Sequence, residues 1–202
     1  MVKNKQNIID DKALIKGLSQ DDYASFENIY NKYYQSLYNY SCQFSGIKAY
    51  NHDCIQDLFI DLWKNRKKTS INYSLQAYLF KSLRYKIQHQ IKKNQTRIKN
   101  IRGYFEDSFE LFFHEQEYLE KIELEKHHII KLKESIQQLA PKQRELIYLI
   151  YFNNLSYDEV SQIMGISKKT AYNQVHSAIK NLRASLGDLI FTILFTSSYF
   201  FN

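Results

Sequence analysis

The sequence predicts an all-α protein made of two small helical domains joined by a linker. Its 202 residues include one Pro and five Gly, so turn-forming residues are scarce. Apolar residues recur at three- and four-residue steps through most of the chain, which is the spacing of one helix face. Charge is unevenly distributed: residues 62–105 hold twelve Lys or Arg and no acid, and residues 106–125 hold eight acids. The chain is long enough for two small hydrophobic cores.

The first domain is predicted over residues 10–94. Apolar spacing from Tyr23 to Tyr40 predicts an amphipathic helix that begins near Asp21 or Asp22. A second helix follows, whose apolar face consists of Ile55, Leu58, Phe59 and Leu62. Residues 64–74 are polar and basic, as in a loop. A long helix then begins at Leu75, with exposed positions expected at Lys81, Arg84, Tyr85, Gln88, Lys92 and Lys93.

Three carboxylates lie on the polar side of the second helix. Asp53, Asp57 and Asp61 are four residues apart, so they form a row along one face. The outer two are separated by about 12 Å along the helix axis, which is too far to share one metal ion. The row is either an acidic stripe that faces a basic partner protein or a merely solvated helix face.

The acid-free block of residues 62–105 has the composition of a polyanion-binding surface. Aromatic rings alternate with its cations, and base stacking beside a cationic track is one way in which single-stranded nucleic acid is held. These rings belong to Trp63, Tyr73, Tyr78, Phe80, Tyr85, Tyr104 and Phe105. The alternative is that they are core residues of a helical domain, which we favour for Trp63, Tyr78 and Phe80.

The second half of the chain divides into a linker, a second domain and a tail. The linker is expected over residues 95–114 and the second domain over residues 115–186, with Pro141 in the first turn of a helix. Residues 187–202 form an apolar tail that is too short to span a bilayer. Three covers are open for it: its own second domain, a partner protein or a membrane surface.

The second domain ends in a predicted helix-turn-helix, of winged-helix type but without a wing. Ser156 and Glu159 have the spacing of a capping box, so a helix should begin at Tyr157. Gly165 is placed to end that helix in a left-handed conformation, and Ser167 can cap the next one. The buried stripe of this last helix is predicted to be Ala171, Val175, Ala178, Ile179, Leu182 and Leu186.

The opposite face of the last helix carries side chains that can donate hydrogen bonds to phosphates and base edges. They are Lys168, Lys169, Thr170, Tyr172, Asn173, Gln174, His176 and Lys180. Such a face predicts binding in the DNA major groove. The alternative is a small helical hairpin with a polar outer surface. The coincidence of cap, turn, apolar stripe and basic face favours DNA binding.

Other chemistry is not indicated. Cys42 and Cys54 are twelve residues apart and form no CxxC pair, which argues against zinc and for reduced thiols. We find no nucleophile–base pattern, no carboxylates clustered for metal catalysis and no phosphate-cradling glycine loop. The N-terminal residues lack the apolar core of a signal peptide. We therefore expect a cytoplasmic protein that is not an enzyme and uses no cofactor and no metal.

Two segments of the chain together resemble a sigma factor of the sigma-70 family, in its small extracytoplasmic-function (ECF) branch. The first contains SFENIYNKYYQSLYNY, QDLFIDLWKNR and LQAYLFKSLRYKIQHQIKK, within residues 25–93. The second is LAPKQRELIYLIYFNNLSYDEVSQIMGISKKTAYNQVHSAIKNLR, residues 139–183. They occur in the family's order, with a linker between them, and cover a little over half of the chain. The second segment alone is shared with other helix-turn-helix regulators, whereas the pair is specific.

The resemblance implies a protein that binds core RNA polymerase and directs promoter-specific initiation of transcription. The first domain would be the region-2-like domain and the second the region-4-like domain. Contact with the clamp helices of the polymerase's largest subunit is expected at Asp53, Gln56, Asp57, Asp61 and Trp63. Melting and capture of the −10 element is expected at Lys67, Lys68, Asn72, Tyr73, Lys81, Arg84, Tyr85, Gln88 and Lys92.

The −35 element would be read as duplex by the polar face of the last helix. Asn173 or Gln174 can address adenine through two hydrogen bonds, with Lys169 and Thr170 also near bases. Phosphate contacts are expected from Lys168, His176 and Lys180. Tyr172 lies on the same face. The resemblance also implies an anti-sigma factor, free or membrane-bound, as a partner.

Two alternatives follow from the residues alone. A stand-alone helix-turn-helix regulator would use only residues 139–183, but it would have no need of the QDLFIDLW helix or the acid-free block. Separately, the acidic residues 106–125 could fold back on the basic surface of the free protein. Neutralising Glu115, Glu117 and Glu120 should then strengthen DNA binding.

Overall fold

The computed structural model describes residues 10–44, 50–68, 71, 74–95 and 131–187. Its regular elements are helices, as predicted. The first module consists of α1 (Asp11–Ser19), α2 (Tyr23–Cys42), α3 (Asn51–Lys64) and α4 (Leu75–Gln95). The second module comprises residues 131–187. It contains a helical stretch at 131–137, α5 (Pro141–Ile147), a π-helical turn (Tyr148–Phe152), α6 (Tyr157–Met164) and α7 (Lys168–Leu186).

The core of the first module forms where α2, α3 and α4 pack against one another. Each helix contributes the apolar stripe that its sequence predicts. The stripes include the fully buried side chains of Ile29, Leu37, Ile55, Leu62, Leu79 and Leu83. Trp63 and Tyr78 are partly buried against this core, and Phe80 is fully buried. The preference for a core role of these three rings is therefore confirmed.

The junction between α1 and α2 depends on a close approach of the two helices. Asp22 caps α2 by accepting hydrogen bonds from the backbone N–H groups of Ala24 and Ser25, each 3.1 Å long. The Ser25 hydroxyl also donates to Asp22, and it lies where a Cβ on Gly17 would be. Only a residue without a side chain fits at Gly17, so α1 can lie directly on the start of α2.

The second module begins with the proline-initiated helix that the sequence predicts. Pro141 occupies the first turn of α5, where its missing N–H leaves no intrahelical bond unmade. A π-helical turn then extends α5 to Phe152, which the sequence does not predict. Asn153 closes this turn, because its side-chain amide donates to the Tyr148 carbonyl over 3.2 Å.

The helix-turn-helix boundaries agree with the sequence predictions. Ser156 and Glu159 form the capping box at the start of α6. Gly165 follows Met164 with φ 67°, the left-handed conformation that glycine adopts without strain. Ser167 caps α7 through a 3.0 Å bond from the Thr170 N–H. The buried side of α7 consists of Ala171, Val175, Ala178, Leu182 and Leu186, with Ile179 partly buried.

The two modules contact each other directly, with α4 packed against α6. The Gln76 side chain donates to the Asn153 carbonyl over 2.9 Å, and the Ser74 hydroxyl donates to Glu159. A buried ion pair joins Arg84 of α4 to Glu145 of α5. None of the helices in the described part of the chain is long and apolar enough to cross a membrane. The acidic block 106–125 and the tail 189–202 lie outside the described residues.

Candidate nucleic-acid interface

The polar face of α7 is open to solvent in this structure. The Ser167 cap and the buried Ala171, Val175 and Ala178 fix which side of the helix points outward. Exposed residues on that side are Lys168, Lys169, Thr170, Tyr172, Asn173, His176 and Lys180. The helix thus presents donors and cations over its first three turns, where a recognition helix meets base edges and phosphates.

Three predicted residues of α7 are less available for DNA contact in this structure than the others. Gln174 is half-buried, and its Oε1 is buried without a hydrogen-bond partner among the described residues. Lys168 forms a 2.7 Å ion pair with Asp158 of α6, and both side chains are more than half exposed. Tyr172 lies against Tyr157, with ring centroids 5.6 Å apart. The freest side chains for duplex contact are those of Lys169, Asn173 and Lys180.

A second polar stripe runs along α4. Lys81, Tyr85, Gln88 and Lys92 recur at three- and four-residue steps, so they share one side of the helix. Tyr85 is 70% exposed, and Gln88 is half-buried. An exposed ring among cations can stack on an unpaired base. Two cationic surfaces are therefore present, one on each module.

Arg84 corrects one expectation about α4, because it is buried rather than exposed. Only 9% of the residue is accessible, and Glu145 is 3% accessible. The Arg84 Nε donates to Glu145 Oε1 over 2.8 Å, and the Arg84 guanidinium Nη2 donates to Oε2 over 3.3 Å. The Tyr40 hydroxyl also donates to Glu145 Oε1, over 2.6 Å. Arg84 lies at helical spacing between Phe80 and Ile87, which places it on the buried side of α4.

The protonation states at this buried cluster follow from its geometry. Burial acts to lower the pKa of Arg84, but the adjacent Glu145 carboxylate outweighs burial and holds that pKa above its ordinary value. Burial, together with the charge of Glu145, raises the pKa of Tyr40 well above its ordinary value. At neutral pH Arg84 is therefore charged and Tyr40 keeps the proton that it donates. The carboxylate accepts from both residues at once.

The turn after α3 holds further predicted cations. Lys67 and Lys68 are exposed, and Lys67 Nζ lies 2.6 Å from Asp21 Oδ2. Arg66 Nε lies 2.5 Å from Asp21 Oδ1 while its guanidinium covers the Trp63 ring at 4.2 Å. Hydrogen bonds from Lys67 and then Arg66 lower the pKa of Asp21. Asn72 and Tyr73, also predicted for this surface, lie outside the described residues.

An apolar groove lies between α2 and α3, beside the acidic row. Its volume is about 380 Å³, and it is lined by Tyr23, Phe26, Tyr30, Gln56, Phe59, Ile60 and Trp63. Asp53, Asp57 and Asp61 are exposed on the same helix. Asp61 is 2.5 Å from Lys86 Nζ, so it already has a partner within the chain. The predicted polymerase contacts thus comprise two groove residues, Gln56 and Trp63, and the adjacent carboxylates.

Together these elements define a helical protein with a helix-turn-helix module and a second, cation-rich helical module. The family model described as "Sigma-70 region 2" matches residues 29–97. The model described as "Sigma-70, region 4" matches residues 129–182. The two matches cover well over half of the chain, in the order that the family requires, and the chain belongs to the sigma-70 family. It is a sigma factor, and this family consists of transcription initiation factors rather than enzymes.

The chain is similar along most of its length to known RNA polymerase sigma factors. The chain is 21% identical over 178 residues to the ECF RNA polymerase sigma factor SigL of Mycobacterium tuberculosis, covering 88% of this chain and 97% of SigL. It is 22% identical over 166 residues to the RNA polymerase sigma factor YlaC of Bacillus subtilis, covering 80% of this chain and 92% of YlaC. The resemblance found in the sequence is confirmed, and the region-2 match excludes a stand-alone helix-turn-helix regulator.

Solved structures support the same fold. CnrH, in complex with the cytosolic domain of CnrY, superimposes with a TM-score of 0.57 and 16% identity, covering 86% of this chain and 95% of CnrH. The sigma factor RpoE from Bartonella quintana, in complex with the anti-sigma factor NepR, gives a TM-score of 0.59 and 23% identity. That match covers 81% of this chain and 97% of RpoE.

The contacts between modules are the main feature of this region that the sequence does not predict. Glu145 and Asn153 are not among the predicted site residues, and Arg84 is predicted to be exposed. One local signal was available: Arg84 falls in the helical register of Phe80 and Ile87, so it is an arginine on an apolar face. Such a residue needs a buried anion. Nothing in the sequence says which of the acids supplies it.

Proposed function

We propose that this sigma factor divides promoter recognition between α4 and α7 and docks on core RNA polymerase through α3. The supporting observation is that one chain carries three separate surfaces of the required chemistry. They are an acid-flanked aromatic groove, a cationic stripe with an exposed tyrosine and an exposed recognition-helix face. The region-2-like domain is taken as residues 10–94 and the region-4-like domain as residues 115–186, with 95–114 as the linker.

Docking on polymerase uses the groove between α2 and α3. Its exposed side chains include Tyr23 and Ile60, which together with the partly buried Trp63 can pack against an apolar ridge of a partner helix. Asp53 and Asp57 flank the groove and favour a partner that carries cations beside its apolar ridge. The clamp helices of the polymerase's largest subunit are the partner that family membership suggests.

Capture of the −10 element uses α4 and the turn after α3. Melting costs a few kcal/mol for each unstacked base, and a stacking ring with cations on the backbone recovers this cost. Tyr85 supplies the exposed ring, and Lys81, Lys92, Lys67 and Lys68 supply the charge. Lys67 forms an exposed ion pair with Asp21 in this structure. We expect it to exchange that carboxylate for a phosphate when the strand binds.

Reading of the −35 element uses the exposed face of α7. Asn173 is exposed in the second turn and can form paired hydrogen bonds with adenine. Lys168, His176 and Lys180 are exposed on the same side of α7 and supply cations or donors for phosphate contacts. The backbone N–H groups at the N-terminus of α7 also favour a nearby phosphate.

Regulation by an anti-sigma factor is the finer part of the proposal. Two solved relatives are complexes, CnrH with the cytosolic domain of CnrY and RpoE with the anti-sigma factor NepR. We extend this to a partner of the present chain that binds in the cytoplasm, where core polymerase works. The partner is either free or membrane-bound, and the apolar tail 189–202 is a candidate part of its binding surface.

The experiment combines the purified protein with bacterial core RNA polymerase and fragmented genomic DNA of the host, and maps transcript starts. Initiation at a shared two-part promoter supports the proposal. Asp57→Lys should weaken association with core, whereas Glu134→Lys, a change of the same charge at an exposed site of the second module, should not. Duplex binding without core association, or equal loss in both variants, would contradict the assignment of α3.

A further inference from the structure

We propose that Glu145 is an internal competitor for promoter DNA, whose carboxylate occupies Arg84 until the second module leaves α4. The inference rests on the proposed function of α4 and adds a regulatory step to it. Arg84 borders the exposed stripe of α4, because it is three residues after Lys81 and four before Gln88. Once uncovered, it would extend that cationic surface.

The contact has the chemistry of a phosphate site filled by a carboxylate. Two guanidinium nitrogens of Arg84 each donate to a different oxygen of Glu145, at 2.8 and 3.3 Å. This fork matches a carboxylate and a phosphate equally well, so either anion can occupy it. The carboxylate comes from a residue 61 positions away, in the other module. Glu145 can therefore pair with Arg84 only while the two modules are in contact.

The surrounding contacts all belong to the same closure. Near the start of α4, Ser74 donates a hydrogen bond to Glu159 and Gln76 donates one to the Asn153 carbonyl. The second module therefore contacts α4 at its start as well as at Arg84. Tyr40, on α2, donates a 2.6 Å hydrogen bond to the Glu145 carboxylate. By contrast, Lys169, Asn173 and His176 on α7 remain exposed. Closure thus restricts Arg84 while leaving the duplex-reading face free.

The competition predicts different behaviour for the two kinds of DNA. Separation of the modules is required before a single strand can use Arg84, whereas duplex binding by α7 needs no opening. The apparent affinity for a strand is reduced by the fraction of molecules that are open, so a shift from about one-tenth open to mostly open raises it about tenfold. The affinity for duplex should not change.

The test uses the full-length free protein with Glu145→Gln. A labelled oligothymidine strand and a labelled mixed-sequence duplex serve as probes, read by fluorescence anisotropy, and small-angle X-ray scattering reports the separation of the modules. We expect tighter strand binding, unchanged duplex binding and a larger radius of gyration. Glu134→Gln is the matched control, since it removes the same charge from an exposed site of the same module.

A second substitution tests whether Arg84 is the object of competition. Arg84→Gln combined with Glu145→Gln should open the modules equally but lose the gain in strand affinity. If circular dichroism shows that Glu145→Gln does not fold, Tyr40→Phe replaces it, because it keeps the buried ring and removes the hydroxyl that donates to the carboxylate and contacts Arg84. It should move strand affinity and radius in the same direction by a smaller amount.

Three results would overturn the inference. They are an unchanged radius in Glu145→Gln, an equal gain in Glu134→Gln, and a gain that survives the loss of Arg84. Each is distinguishable from failure of the proposed function, because promoter-directed transcription with core polymerase is measured separately. A sigma factor that initiates normally but shows no change in Glu145→Gln keeps its function and loses only this competitor.

Discussion

The two helices that carry the predicted DNA contacts, α4 and α7, differ in how much of their surface the fold uses. The 21-residue α4 lies in the core through large side chains such as Phe80 and Leu83, and it buries Arg84 against the other module. The 19-residue α7 packs through small side chains, Ala171, Val175 and Ala178, over its first half. Its polar face is exposed. A basic residue on a DNA-binding helix is available only where no other element covers it.

The largest expected difference is in stability. Phe80→Ala should lower the free energy of unfolding by about 3–5 kcal/mol, because Phe80 is fully buried and packs against Tyr40 with ring centroids 5.1 Å apart. Lys81→Ala, one residue further along, should change it by no more than about 0.5 kcal/mol. Denaturant titration of both variants measures the difference. Similar values for the two would show that α4 is not a core helix.

The next effect distinguishes the roles of α7 and α4 by whether the bound DNA is double-stranded or single-stranded. Asn173→Ala should reduce discrimination at one base pair of the −35 element by about 1–3 kcal/mol, because a paired hydrogen bond to a base is lost. Tyr85→Ala should leave duplex discrimination unchanged and weaken strand binding by about 1–3 kcal/mol for the unstacked base. Competition binding with single-base variants of the mapped promoter measures both. Loss of strand binding in Asn173→Ala would contradict the division.

The helix between them, α6, supplies a smaller effect that depends on pH. Burial raises the pKa of Glu159, but hydrogen bonds from Ser74 and Ser156 outweigh it, so the pKa lies below the ordinary value of 4.5. The ionised carboxylate therefore stabilises the fold above about pH 4.5, and this contribution is lost as the pH falls through the lower folded-state pKa. Unfolding curves at pH 7 and pH 3 should show a smaller loss of stability in Glu159→Gln than in the unchanged protein.

The same cap can be removed from its other side. Ser156→Ala should lower the free energy of unfolding by about 1 kcal/mol, because the Glu159 N–H at the start of α6 loses its acceptor. Ser156→Thr is the matched control, since threonine keeps a hydroxyl that can accept from the Glu159 N–H and donate to the Glu159 carboxylate, and it should retain most of the stability. An equal loss in both variants would mean that the Ser156 cap contributes little.

The smallest effect concerns the ion pair between α6 and α7. Lys168→Gln should leave stability within about 0.5 kcal/mol, because the pair with Asp158 is solvent-exposed. It should still reduce the slope of duplex affinity against salt concentration by about 0.9, the value of one phosphate contact. Binding measured over a range of salt concentrations tests this. An unchanged slope would remove Lys168 from the phosphate contacts.

Local features of the fold were predictable because they depend on neighbouring residues. The Ser156–Glu159 box, the left-handed Gly165 and the proline at the start of α5 each lie within a few residues of the boundary that they set. The exposed face of α7 followed from the same helical register. These interactions do not need the rest of the chain, so sequence reasoning located them to within a residue.

Features that join distant segments were not predictable. Arg84 and Glu145 are 61 residues apart, and the choice of Glu145 over other acids depends on how the modules pack. The pairing of Asp21 with Lys67 across 46 positions depends in the same way on how α1, α2 and α3 pack within the first module. Helical periodicity tells which side of each helix is apolar, but it does not tell which helices of different modules meet.

The π-helical turn at Tyr148–Phe152 has a consequence for the genetics of this protein. Such a turn behaves as one extra residue inserted in an α-helix, and each residue of an α-helix turns the chain by about 100°. Loss of a single codon here would rotate α5 against α6 and carry Glu145 away from Arg84. The position of the Glu145 carboxylate therefore depends on the number of residues in this turn. An in-frame deletion there should separate the modules without altering either member of the ion pair.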